Sequence, residues 1–303
     1  MKIKKRTLKF MLVFLVIFLI IFFYHKYQNK DPYSFKEDSF YYSNSRGSTK
    51  YSIFLKQKNE TYDIYNITFS SRPFLEYPTK IYGLLFLPKS SQKVPGLVLL
   101  PGGGVTKENE AELASLIASW GYAVFTFDQR GIGQTSGYYL SYEDDYKIFA
   151  QGKEPIQHLS VYDALKAFDV MKNIKEINKN NIAIAGESMG GRYAIIAAAT
   201  DKRLKGVIAI SASGFHIKKD ASDLTNNYLL SIDPDRYIER ISPNRIFMFH
   251  GTNDTMVKLE SAKITFDIAE EPKKLFIADG CGHGYCKNME QELKYSLISL
   301  FEK

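Results

Sequence analysis

The residues most able to do chemistry are Ser188, Asp254 and His283. Ser188 stands in Gly186-Glu187-Ser188-Met189-Gly190, a Gly-x-Ser-x-Gly pattern that follows an apolar run and precedes a small-residue stretch. Such a serine fits a sharp strand-to-helix turn with its hydroxyl above the sheet edge, and the flanking glycines leave room for strand and helix to pass. The bland alternative is a helix N-cap. A serine hydroxyl needs a base, and the base needs an orienting acid. Of the five histidines, His283 lies in the glycine-rich Asp279-Gly280-Cys281-Gly282-His283-Gly284 after the last apolar run. His25 falls beside the apolar N-terminal segment, His158 at a helix start, His216 in an insertion, and His250 at a strand end, where it reads as a packing residue. The acid belongs between serine and histidine in sequence. Asp254, in His250-Gly251-Thr252-Asn253-Asp254, is the candidate, with Asp233 and Asp235 as rivals.

Acyl transfer also requires donors for a developing oxyanion. One is the backbone N–H of Met189, next to the serine. The second comes from Leu99-Leu100-Pro101-Gly102-Gly103-Gly104, where Gly103 is favoured and Gly104 is the alternative. Three glycines at a strand end let the backbone approach a ligand closely. No Gly-Lys-Ser/Thr follows and the glycine pattern is incomplete, so a phosphate-cradling loop is the weaker reading.

These groups need a scaffold that lines up strand ends. Short apolar runs predict strands at Asp63–Phe69, Ile81–Leu87, Leu97–Leu100, Ala123–Phe127, Ile182–Ala185, Val207–Ser211, Ile246–His250 and Lys274–Ala278. Helical spacing appears over Glu108–Trp120, Leu159–Met171, Met189–Thr200, Ser261–Ala269 and Glu290–Phe301. Short strands that are apolar throughout are buried on both faces. Their alternation with helices predicts one α/β domain over 62–303, with about eight mostly parallel strands and helices on both faces. The first two strands, joined through Pro73 and Pro78, suit an antiparallel start. The long interval after the sixth strand predicts a small cap at about 212–244.

The charge points elsewhere. The chain of 303 residues has 40 Lys and Arg against 33 Asp and Glu, a formal net charge of +7. Residues 1–30 hold seven Lys or Arg and no acid, so residues 31–303 are balanced and carry no electrostatic footprint for nucleic acid. After a basic tail (1–9), Phe10–Tyr24 is an unbroken apolar run. As a helix it is roughly 22 Å long, and Lys9 and Lys26 can snorkel at its ends. No small-x-small cleavage site follows it, so 10–26 reads as an uncleaved signal anchor, with a cleaved signal peptide as the rival; the N-terminus is then cytoplasmic and the main domain outside the cytoplasm. Residues 27–61 read as a polar, tyrosine-rich stalk.

Serine, aspartate and histidine in this order resemble the α/β-hydrolase superfamily over roughly residues 62–303. The motifs are GESMGG, LLPGGG, HGTNDTMV and GCGHG, together with Asp128-Gln129-Arg130-Gly131-Ile132-Gly133, which is similar to a D-x-R-G-x-G loop. The chain looks most like esterase, dienelactone-hydrolase-like and prolyl-oligopeptidase-like members. Asp128 and Arg130 read as loop-organising ions. One departure is Pro101, where many relatives carry histidine; the oxyanion donors, being backbone groups, do not depend on it. The resemblance implies a carboxylic-ester hydrolase acting through an acyl-enzyme on a small-molecule or lipid-like ester. The alternatives are a peptidase or acyltransferase on the same fold, or a binding protein that keeps the fold without catalysis. No cofactor is expected, and Cys281 and Cys286 lack the partners of a zinc site. The two cysteines flank His283 and can pair across it in an oxidising compartment. Tyr138, Tyr139 and Tyr142 are candidate pocket residues.

Overall fold

The computed structural model describes residues 11–20, 31, 33–36, 38–218, 220 and 223–301. The basic tail and residues 10 and 21–26 of the expected anchor lie outside these, while 11–20 form a helix, α1. Among the described residues no helix is long and apolar enough to cross a membrane.

The sheet has nine strands: β3 (Tyr51–Lys58), β4 (Tyr62–Phe74), β5 (Tyr77–Pro88), β6 (Val94–Leu100), β7 (Ala123–Phe127), β8 (Ile177–Glu187), β9 (Gly206–Ile210), β10 (Arg245–Gly251) and β11 (Lys273–Ala278). Their spatial order is β11-β10-β9-β8-β6-β7-β5-β4-β3. All pairings from β11 to β7 are parallel. Those of β7–β5, β5–β4 and β4–β3 are antiparallel. The mostly parallel sheet with an antiparallel start is therefore as the sequence indicates.

Period-2 alternation divides each strand between two cores. Val98 and Leu100 face the layer of α4 (Ile156–Lys172) and α5 (Met189–Thr200). Leu97 and Leu99 face α2 (Ala111–Ser119) and α8 (Glu290–Phe301). Strand order reverses beside β6, whose neighbours are β7 and β8. At such a switch point the C-terminal strand ends open a crevice. The ends of β6 and β8 carry LPGGG and Ser188.

From residue 31 on, the described part of the expected stalk is not irregular. A hairpin of β1 (Tyr33–Lys36) and β2 (Ser39–Tyr42) buries Phe40 and Tyr42 in the main core, and Phe40 stacks on His158 at 4.0 Å. β3 adds the ninth strand at the sheet edge. Buried Arg46 then joins Asp169 and Asp201, both at 2.8 Å. The polarity that suggested a stalk belongs to an exposed edge strand and to side chains that pair with distant partners.

Two helices were not foreseen, α3 (Tyr142–Ala150) and α6 (Leu224–Ser231). The expected cap region, 212–244, is mixed in character. Residues 213–215 wall the cleft at Ser188, whereas Tyr237, Ile238 and Ile241 are buried in the main core.

Candidate active site

Ser188 is the single residue between β8 and α5, with φ 51° and ψ −117°. A non-glycine residue in this region stores strain, of order 1–3 kcal/mol, which the surroundings must impose. The turn is held by the Ser188 N–H, which donates to Ile210 O at 2.9 Å. Its tightness explains the glycines. A Cβ at Gly186 would meet the Gly190 carbonyl at 2.4 Å, and one at Gly190 would meet Leu100 O and Pro101 O at 2.3 and 2.4 Å. The Ser188 side chain caps no N–H of α5. The helix-cap alternative therefore fails, and the hydroxyl is left for other use.

The acid and base loops come from the next strands. Asp254 follows β10, and its Oδ1 accepts the N–H groups of Met256 and Val257, both at 2.9 Å. His283 donates Nδ1–H to the same carboxylate, 2.9 Å from Oδ2 and 3.0 Å from Oδ1. With Nδ1 so used, Nε2 keeps its lone pair. Burial by itself would raise the Asp254 carboxyl. Hydrogen bonds from the Val257 N–H, His283 and Ser211 outweigh burial and hold the carboxyl below its usual range. His250 is buried and donates Nε2–H to Val257 O at 2.7 Å, bracing the far side of the acid turn as expected of a packing residue. The structure thus closes Asp254 to His283. It does not close His283 to Ser188, whose hydroxyl has no hydrogen-bond partner among the described residues.

Cys281 and Cys286 form a disulfide across His283, with Cα atoms 6.1 Å apart. The base loop is further tied down where Cys281 O accepts the Asn253 N–H at 2.9 Å. Gly251 makes that approach possible, since a Cβ there would meet Cys281 O at 2.2 Å.

The glycine loop after β6 lies against the elbow. A Cβ built on Gly102 would be 3.7 Å from Ser188 Cβ, and one on Gly103 would be 3.2 Å from Met189 Cε and 3.1 Å from the Tyr139 hydroxyl. The segments carrying the Met189 and Gly103 N–H groups therefore face one another beside Ser188. Pro101 O accepts from Gln129 Nε2 at 2.6 Å. Asp128 and Arg130 do organise loops. Asp128 accepts from the Lys107 N–H and Nζ and from the Gln134 N–H, and Arg130 forks onto Asp163. Tyr139 and Tyr142 reach the site, while Tyr138 packs on Phe74 and Tyr77.

Several site residues carry no sequence signal. Ser211 follows β9 with φ 49°, accepts the Gly284 N–H at 2.9 Å and hydrogen-bonds Asp254, so it ties the base loop to the acid turn. Glu187 Oε1 accepts the Tyr285 N–H at 3.2 Å, and burial raises its carboxyl. Glu110 is pushed up to about 8, first by burial and then by Glu187, against a hydrogen bond from the Gly102 N–H. Asp235, a rival for the acid, serves a different histidine. His216 Nδ1 is 2.7 Å from Asp235 Oδ2, and His216 Nε2 is 2.6 Å from Ser261 Oγ. Ser261 lines the same cleft as Ser188. Among the described residues no cluster of His, Cys, Asp or Glu is placed to hold a metal ion.

A family model for acetyl xylan esterase (AXE1) matches residues 25–218, which include Ser188 and end before Asp254 and His283. The protein YfhR of Escherichia coli O157:H7 is 25% identical over 174 residues, covering 55% of this chain and 56% of YfhR. Hydrolase pyiE of Pyricularia grisea is 32% identical over 136 residues, covering 42% of this chain and 27% of pyiE. The chain thus spans about half the length of YfhR and less of pyiE. Among solved structures, acetyl xylan esterase 1 from Thermoanaerobacterium sp. JW/SL YS485 superposes with a TM-score of 0.67 at 16% identity, over 84% of this chain and 88% of that one. A glucuronoyl esterase from Solibacter usitatus gives 0.63 at 13% identity, over 84% and 86%. These two establish the likeness of fold.

Proposed function

We propose, from the premise that this chain belongs to the acetyl xylan esterase (AXE1) family, that it hydrolyses carboxylic esters through an acyl-enzyme on Ser188. The observation that carries this is the strained elbow at Ser188, next to loops that already hold His283 on Asp254. Ser188 Oγ bonds to the ester carbonyl carbon while its proton passes to His283 Nε2. The oxyanion is received by the N–H groups of Met189 and Gly103. Collapse breaks the C–O bond, and the alcohol leaves with the proton from His283. Water, deprotonated by the same imidazole, then releases the acid and restores the serine. The family favours an acetyl group as the acyl part.

The test is labelling of the protein with a fluorophosphonate, followed by peptide mapping. Label on Ser188, lost in Ser188→Ala, is the expected result. Label on Ser261 instead would move the nucleophile to the second Ser–His–Asp relay, and a folded protein that takes no label would sink the serine mechanism.

We also propose that 10–26 anchors the chain in a membrane, with the catalytic domain outside the cytoplasm. Supporting this are the basic start, the apolar run Phe10–Tyr24 and a disulfide of the kind that persists in oxidising compartments. The full chain should stay with membranes through alkaline carbonate extraction. Its release into the supernatant would end the anchor assignment.

A further inference from the structure

The two flanks of the elbow differ in charge. On one side Glu187 opens into a cavity lined also by Glu110, Glu112 and Glu290, with Lys287 as its one cation. On the other, Ser188 opens into a cleft of about 460 Å³ whose lining includes Arg192 and Lys258 and no carboxylate. Among the described residues neither of these cations is ion-paired, although Arg46, Lys107 and Arg130 are paired elsewhere in the molecule.

Arg192 is nevertheless held in place. Its guanidinium carbon lies 4.7 Å from the centre of the Phe215 ring and 5.7 Å from that of Tyr142, and its Nη2 donates to the Tyr142 hydroxyl at 2.5 Å. Aromatic faces and a phenol fix the position of a guanidinium without cancelling its charge. The cleft also carries two oriented hydroxyls. Asp235 fixes His216, His216 holds Ser261 at 2.6 Å, and Ser261 Oγ lies 3.1 Å from Ser213 Oγ. A fixed, unneutralised arginine, a lysine and aligned hydroxyls in one cleft are the elements that receive an oxyacid group.

Resting on the ester-hydrolase reading above, we propose that this cleft binds an anionic group on the alcohol part of the substrate, a carboxylate or a phosphate near the scissile ester. An acetyl group is too small to need such a cleft, so the cleft falls to the alcohol. On the opposite flank Glu112 and Glu290 place acidic groups that disfavour the same anion, and so bias the direction in which the substrate lies. The enzyme then prefers acetyl esters of acidic sugars or polyol phosphates over their neutral counterparts.

Two matched pairs test this: methyl glucuronoside against methyl glucoside acetylated at the same hydroxyl, and acetylglycerol phosphate against acetylglycerol. We expect kcat/KM, read as acetate release at low ionic strength, to be at least tenfold higher for the anionic member of one pair. The responding pair separates a carboxylate from a phosphate ligand. The ratio should fall at least threefold in Arg192→Gln and in Lys258→Gln, and should shrink at about 0.5 M salt, where screening is strong. Ratios near one in both pairs, or ratios unchanged in both variants, would overturn the subsite while leaving the serine mechanism standing if Ser188→Ala abolishes turnover. If no ester is turned over, titration of the Ser188→Ala protein with each pair still reads the cleft. Affinity at least tenfold tighter for an anionic member supports the subsite, and equal affinities refute it.

Discussion

Replacing Asp254 by asparagine is expected to lower kcat for an acetyl ester by about four orders of magnitude while the protein remains folded. Asp254 is buried and receives the Met256 and Val257 N–H groups, His283 Nδ1–H and the Ser211 hydroxyl. The amide oxygen of asparagine can keep the two backbone donors, so the turn survives. Its NH2 group, turned toward the imidazole, asks Nδ1 to accept and therefore places the proton on Nε2. In that tautomer His283 cannot take the proton of Ser188. The stability of the wild type carries a matching signature. The carboxyl is held below its usual range. Its stabilisation is therefore present above the unfolded value and is lost as pH falls through the folded one. The asparagine variant should lack that acid-side loss at this site. A kcat within tenfold of wild type would show that Asp254 does not orient the base.

Ser188, Asp254 and His283 were legible in the sequence because each sits where backbone geometry demands particular neighbours. The glycines around Ser188 are forced by contacts near 2.4 Å, and Gly251 by the passage of the base loop. Such requirements are local and leave a motif. Ser211 left none, because its role depends on a hydroxyl that meets Gly284 and Asp254 only after three strands have aligned. The His216–Asp235–Ser261 relay was hidden for the same reason: its members are 19 and 45 positions apart. β3 was missed on other grounds. Nearly all its side chains are exposed, so no apolar alternation marks it, and its hydrogen bonds to β4 are made by backbone alone. The disulfide occupied the middle ground, since the spacing of Cys281 and Cys286 permitted it and only the loop's shape brings them together.

Replacing Arg130 by methionine should destabilise the fold by about 3–5 kcal/mol, the usual effect of breaking a buried ion pair from one side. For a chain of this size that lowers Tm by roughly 6–20 °C. Arg130 Nε and Nη2 bond Asp163 at 2.6 and 2.7 Å, both side chains are buried, and Nη1 donates to Thr79 Oγ1 at 3.1 Å. The fork joins the loop after β7 to α4 and β5. The effect should come mainly from the carboxylate left behind and not from lost attraction, because desolvation already offsets much of the attraction. Arg130→Met with Asp163→Leu should therefore recover most of the stability that Arg130→Met loses. A double variant as unstable as the sum of the singles would assign the loss to packing instead. The same substitution reaches the chemistry through its neighbour. Gln129 Nε2 holds Pro101 O at 2.6 Å, and Pro101 precedes the glycine segment facing Met189. Loosening that brace misplaces an oxyanion donor, and a displacement of about 1 Å in such a site can cost a hundredfold in rate. Assayed well below its Tm, Arg130→Met should therefore show kcat lowered about ten- to a hundredfold. Wild-type kcat in that variant would mean that the ion pair supports the fold alone and that the oxyanion loop is positioned from the α5 side, through Gly190.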